Sequence, residues 1–137
     1  MIRSDFLAAL IGQPWSWQGG NCWDFACHVQ SELFGRVLPA VNVPTDLSKR
    51  WVLEAFDGHQ ERANWSEVPV GPIITASDGA LCLMAHLRIP GHIGVWMKPE
   101  GKIIHCDEHA GVCFETPLAL RQQGWRQLRF FEPIPNG

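Results

Sequence analysis

Apolar positions in the first part of the chain recur at helical spacing, whereas those in the second half fall in short runs punctuated by turns. Phe6, Leu7, Leu10 and Ile11 mark a first short helix, with Ser4 or Asp5 as its cap and Gly12 as its end. A turn-rich segment from Gln13 to Asn21 follows. A second helix is predicted from Cys22 to about Phe34, with Gly35 as its stop. Phe25, Ala26, Val29, Leu33 and Phe34 lie on or near one face, and His28, Gln30 and Glu32 lie on the polar side. Pro39 and Pro44 belong to a loop. Thr45 or Asp46 then caps a further helix carrying Leu47, Trp51, Val52, Leu53, Ala55 and Phe56. From Asp57 to Gly71 the periodicity is weak, and no element is assigned there.

After Gly71-Pro72 the pattern predicts strands over Gly79 to His86, His92 to Met97, Lys102 to Cys106, Val112 to Glu115 and Trp125 to Glu132. Pro99-Glu100-Gly101 makes the second and third of these a hairpin. Thr116-Pro117 opens a small helix that ends at Gly124. Helices first and an antiparallel β-sheet second is an α+β layout, and 137 residues fit a single domain, 1–137.

Composition narrows the function classes. A formal charge of -3, with no run of Lys or Arg, gives no electrostatic basis for a nucleic-acid partner. No apolar stretch is long enough for a membrane span, and no signal peptide is read at Met1-Ile2-Arg3-Ser4-Asp5. The five cysteines form an odd set without CxxC, so disulfides are not implied. Cys27, Cys82, Cys106 and Cys113 sit in apolar contexts and read as small buried hydrophobes. No closely spaced pair of zinc ligands occurs, and Cys27-His28 and His105-Cys106 are poor chelators, so neither metal nor cofactor is expected. Gly19-Gly20 lacks the surroundings of a phosphate loop.

The stretch with chemical content is Gly19-Gly20-Asn21-Cys22-Trp23-Asp24-Phe25-Ala26. A thiol in the first turn of a helix lies near unpaired N–H groups, which favour the thiolate. Such a cysteine is a nucleophile if a histidine folds against it. Among six histidines, His92 and His105 stand on the two strands of the predicted hairpin, so pairing can bring both to one region. His92 would take the thiol proton and His105 would orient the imidazole. Packed or surface histidines are the plain alternative. His28 is a rival base, but six residues along the helix it faces away from the thiol. His109 belongs to a surface turn, and His59 and His86 have no contextual support.

These residues also carry a resemblance. Gly12-Gln13-Pro14-Trp15-Ser16-Trp17-Gln18-Gly19-Gly20-Asn21-Cys22-Trp23 resembles the nucleophile region of the NlpC/P60 cysteine peptidases, especially the phage-tail and prophage members. Ser77-Asp78-Gly79-Ala80-Leu81 is similar to the start of that family's first site strand. Gly91-His92-Ile93-Gly94-Val95-Trp96 is similar to its base motif, and Gly101-Lys102-Ile103-Ile104-His105-Cys106 to its third-residue motif. The resemblance implies a papain-like α+β domain with Cys22 as nucleophile, His92 as base and His105 as the orienting residue. It implies hydrolysis of amide bonds in peptidoglycan stem peptides, without a cofactor. Trp15 occupies the place of the family's tyrosine, next to the oxyanion, and Trp17 and Trp23 would flank substrate or pack. Asn21 and Trp23-Asp24 depart from the family's usual neighbours of the cysteine. Phage tail proteins are the expected partners, with the protein made in the cytoplasm, carried on a virion or tail and acting at the cell wall. An amidase, acyltransferase or injected toxin on the same scaffold is an alternative, as is a catalytically silent structural tail protein.

Overall fold

The short apolar runs of the second half pair into one antiparallel sheet in the computed structural model, which describes residues 2–12, 22–38, 64–69, 71–86, 92–107 and 110–134. The strands are β1 (Trp65–Val68), β2 (Leu81–Ala85), β3 (His92–Met97), β4 (Lys102–Asp107), β5 (Gly111–Glu115) and β6 (Gln127–Pro133). Their spatial order is β1-β6-β2-β3-β4-β5. The helices are α1 (Arg3–Leu10), α2 (Cys22–Phe34) and α3 (Pro117–Gln122). The architecture is therefore α+β, with N-terminal helices and a multi-stranded antiparallel sheet. The helix expected from Thr45, the turn segment with Trp15 and Trp17, and His59 and His109 all lie outside the described residues.

Register assigns each strand residue to a face. Leu81 and Leu83 of β2, Ile93 and Val95 of β3, and Ile104 and Cys106 of β4 join Leu7 of α1 and Phe25, Ala26 and Val29 of α2 in one buried cluster. The alternate residues Cys82, Met84, Trp96 and Ile103 join Leu128, Phe130 and Leu120 of α3 in a second cluster on the opposite face. The period of two along each strand produces both sets. Cys82 is fully buried in the second set, and burial raises its thiol pKa far above the ordinary range, so it stays a small inert hydrophobe.

Three expectations need correction. Neither Ser4 nor Asp5 caps α1; Ile2 holds that position without a side-chain bond, and its carbonyl accepts from the Asp5 and Phe6 N–H groups. The helix start is held instead by Arg3, whose guanidinium pairs with Asp78 and Glu100. Burial pushes the Asp78 carboxyl up, but bonds from Arg3 and the Lys98 N–H, with the charges of Arg3 and Arg36, outweigh it and hold the pKa below the ordinary value. The second correction concerns Gln30, which is fully buried rather than on a polar side. Its amide donates to the Gly79 carbonyl at 2.6 Å and accepts from Arg36 at 2.8 Å, which removes the penalty of burying it. Gly79 itself has φ +85°, and a Cβ there would stand 2.8 Å from the Phe34 ring, so no larger residue fits this junction of α2 and β2. The third is β1, which the weak pattern before Gly71 did not announce. It is an edge strand paired with β6 from Trp65–Pro133 to Val68–Phe130.

The small helix begins as the cap-then-proline pattern implies, with the Thr116 hydroxyl accepting from the Ala119 N–H and Pro117 in the first turn. Among the described residues no helix is long and apolar enough to cross a membrane.

Candidate functional site

The hairpin of β3 and β4 brings two of the predicted site residues into contact. Met84 pairs with His92 and Gly94 pairs with His105, so His92, Gly94 and His105 share a face, with the histidines on a diagonal. Gly94 is what lets them meet. A Cβ on it would lie 2.7 Å from Ile103 Cγ2, 2.8 Å from the Ile104 oxygen and 3.1 Å from His105 Cβ. Across the space so left, His92 Nε2 and His105 Nδ1 stand 2.9 Å apart, the rings nearly perpendicular at 86°.

The contact continues outward. His105 Nε2 is 3.1 Å from Glu115 Oε2, and the Gln123 side-chain amide donates to Glu115 Oε1 at 2.8 Å. This chain constrains the protons. A carboxylate only accepts, so His105 Nε2 carries hydrogen and donates to it. The neutral His105 ring then has a bare Nδ1, which accepts from His92 Nε2–H. That leaves the His92 lone pair on Nδ1, the nitrogen able to take a proton.

Electrostatics favour the neutral form of that ring. His92 is buried, and its pKa is pushed down to about 3, first by desolvation and then by the neighbouring His105, with Asp107 opposing the shift. An aromatic wall accompanies the burial. Trp125 stacks on His92 at 5.3 Å and on His86 at 3.9 Å between ring centroids. His86 Nδ1 donates to the Gly124 carbonyl at 2.9 Å, fixing its ring against the indole.

Cys22 is the first residue of α2, and α2 packs on β3 and β4. Its side chain belongs to the cluster beneath α1 and α2 and is 6% exposed. Trp23 is buried in the same cluster. His28 lies against Phe6, with ring centroids 5.9 Å apart.

Sequence reasoning missed several neighbours of the histidine pair. His86 lacks context in the sequence yet stands on Trp125 beside His92. Cys113, expected to be a buried hydrophobe, is only half-buried. Its Sγ, a His105 ring nitrogen and a Glu115 oxygen lie within 4.8 Å of one another. Burial and the carboxylates of Glu115 and Asp107 raise the Cys113 pKa. The available signal was Cys113-x-Glu115: residues two apart on a strand share a face. Its use required knowing that β5 pairs with β4 so that Cys113 opposes His105. No protein-family model matches the chain, and no curated protein sequence matches it.

Proposed function

We propose that the chain is a cysteine peptidase of the NlpC/P60 type, with a papain-like fold, that hydrolyses amide bonds in peptidoglycan stem peptides as part of a phage or prophage tail. The observation that carries this reading is the 2.9 Å bond from His92 Nε2 to His105 Nδ1, with Glu115 behind it. It leaves His92 Nδ1 as base, and it joins the two histidines that the family resemblance assigns to catalysis. By strand alternation His92 belongs to the face away from α2, but it is the first residue of β3. The reading therefore requires Cys22, first in α2 and buried on the other face, to reach His92 around that strand end.

In this reading the resting pair is a thiol and a neutral imidazole, since burial disfavours the imidazolium. As Cys22 Sγ forms its bond to the amide carbonyl carbon, the thiol proton passes to His92 Nδ1. The carbonyl oxygen becomes an oxyanion that the Cys22 backbone N–H stabilises, with Trp15 as a second donor. The C–N bond then breaks and His92 returns the proton to the leaving amine. Water, giving its proton to His92, cleaves the thioester and restores the thiol. His105 and Glu115 hold the ring and its tautomer throughout.

Incubation of the purified protein with peptidoglycan, followed by mass analysis of soluble fragments, tests the reading. Stem-peptide fragments should appear with the native protein and fall to background with Cys22→Ala. Activity that survives that substitution rules out the assigned nucleophile. The deep burial of Cys22 favours one second reading, a tail protein that keeps the scaffold without turnover. That reading expects no fragments and no selective labelling of Cys22 by a thiol reagent.

A further inference from the structure

We infer that His105, Cys113 and Glu115 form a binding site for a thiophilic divalent cation of the zinc class, and that its occupation disables His92 as a base. The second half rests on the function proposed above; the first does not.

The site is built by register. His105 of β4 opposes Cys113 of β5, and Glu115 follows two residues on, so imidazole, thiol and carboxylate project from one face. Their ligand atoms already lie within 4.8 Å of one another, and the nitrogen and oxygen are 3.1 Å apart. Ligands around a tetrahedral zinc ion stand about 3.5 Å from each other, so a contraction of about an ångström at Cys113 suffices. One sulfur, one nitrogen and one oxygen form a donor set that suits zinc and leaves a fourth position for water. Magnesium and calcium prefer all-oxygen shells and fit poorly. His105 is buried, Glu115 is steadied by Gln123, and Asp107 adds a carboxylate within electrostatic reach of Cys113.

The effect on His92 follows from counting protons. To bind a cation through Nε2, His105 must give up the hydrogen it directs at Glu115, and its neutral ring then carries hydrogen on Nδ1. That N–H points at His92 Nε2 and turns it into an acceptor. The neutral His92 then carries its hydrogen on Nδ1, the position that must be bare to receive the thiol proton. Each ring keeps one proton; only its place changes. The Cys113 proton leaves to solvent as the thiolate binds.

Cobalt(II) is the probe, because a cobalt–thiolate bond absorbs in the near ultraviolet. Titration of the full chain should give that band at one cobalt per chain, displaced by zinc and untouched by magnesium. Cys113→Ser, a small change at a half-buried position, should abolish the band while circular dichroism stays native. Glu115→Gln should keep the band and weaken binding by roughly tenfold or more. No band in the native chain, or an undiminished one in Cys113→Ser, overturns the site. Zinc should also suppress fragment release from peptidoglycan in the native chain and spare it in Cys113→Ser. Binding that depends on Cys113 without such suppression overturns the switch while the site stands, and absence of release without zinc tells instead against the proposed hydrolysis.

Discussion

On the face of the sheet under α1 and α2, every described inward residue of β2 and β3 is apolar, from Leu81 and Leu83 to Ile93, Val95 and Met97. The other face is divided. Cys82, Met84, Trp96, Leu128 and Phe130 pack beneath α3, but His92, His105, Cys113 and Glu115 continue the same rows on β3, β4 and β5. Burial rewards the first region by area and tolerates exchange among apolar residues. In the second region the buried rings are held by particular nitrogen and oxygen partners, so the arrangement is specific atom by atom. The same strands thus carry a part that holds the fold and a part available for chemistry.

Substitutions should separate these parts. His105→Ala removes the partner of His92 Nε2 and with it the tautomer, so fragment release should fall by roughly a thousandfold or more while the fold persists. Normal release would show that the pair is structural. Leu83→Ala, on the face beneath α2, should do the reverse: about 2–5 kcal/mol of stability lost in chemical denaturation, from lost burial and the cavity left. A smaller loss would mean that the cluster collapses to fill the space.

Acid should act through the polar region. The His92 pKa is about 3 in the native chain, against an ordinary value of 6.5, so the unfolded chain binds the extra proton first. Stability from this group is complete above about pH 6.5 and declines as pH falls toward 3, by a few kcal/mol at most. Denaturation midpoints measured from pH 7.5 to 4.5 should drop for the native chain and drop less for His92→Gln. Equal slopes would remove His92 from the account.

Two smaller effects complete the series. Gly79→Ala places a Cβ against Phe34 on a left-handed backbone and should cost more than about 1 kcal/mol in the same assay. Glu115→Gln keeps the shape of the acceptor but loses its charge, and catalysis should fall by roughly five- to tenfold, about 1 kcal/mol. An unchanged rate would confine Glu115 to packing.

Much of the fold was legible because its signals are local. The apolar run in α2, the Pro99-Glu100-Gly101 turn and Thr116-Pro117 each act within a few residues. β1 was not legible: Trp65–Val68 is short, it pairs among the described residues on one side only, and half of its residues are exposed, so no clean alternation results. Gln30 misled for a related reason. Its polarity suggests solvent, but its partners, Gly79 and Arg36, are supplied by other elements.

The candidate site divides in the same way. The sequence by itself determined which residues can do chemistry and placed His92 and His105 on paired strands, because a turn and a period of two decide which side chains can share a face. Only the tertiary structure decided that Glu115 and Gln123 orient the pair, that Trp125 and His86 wall it in, and that Cys113 stands beside His105. Those contacts depend on the pairing of β5 with β4 and on where α3 and the chain after it come to rest. Such distances are properties of register and packing, and no local pattern encodes them.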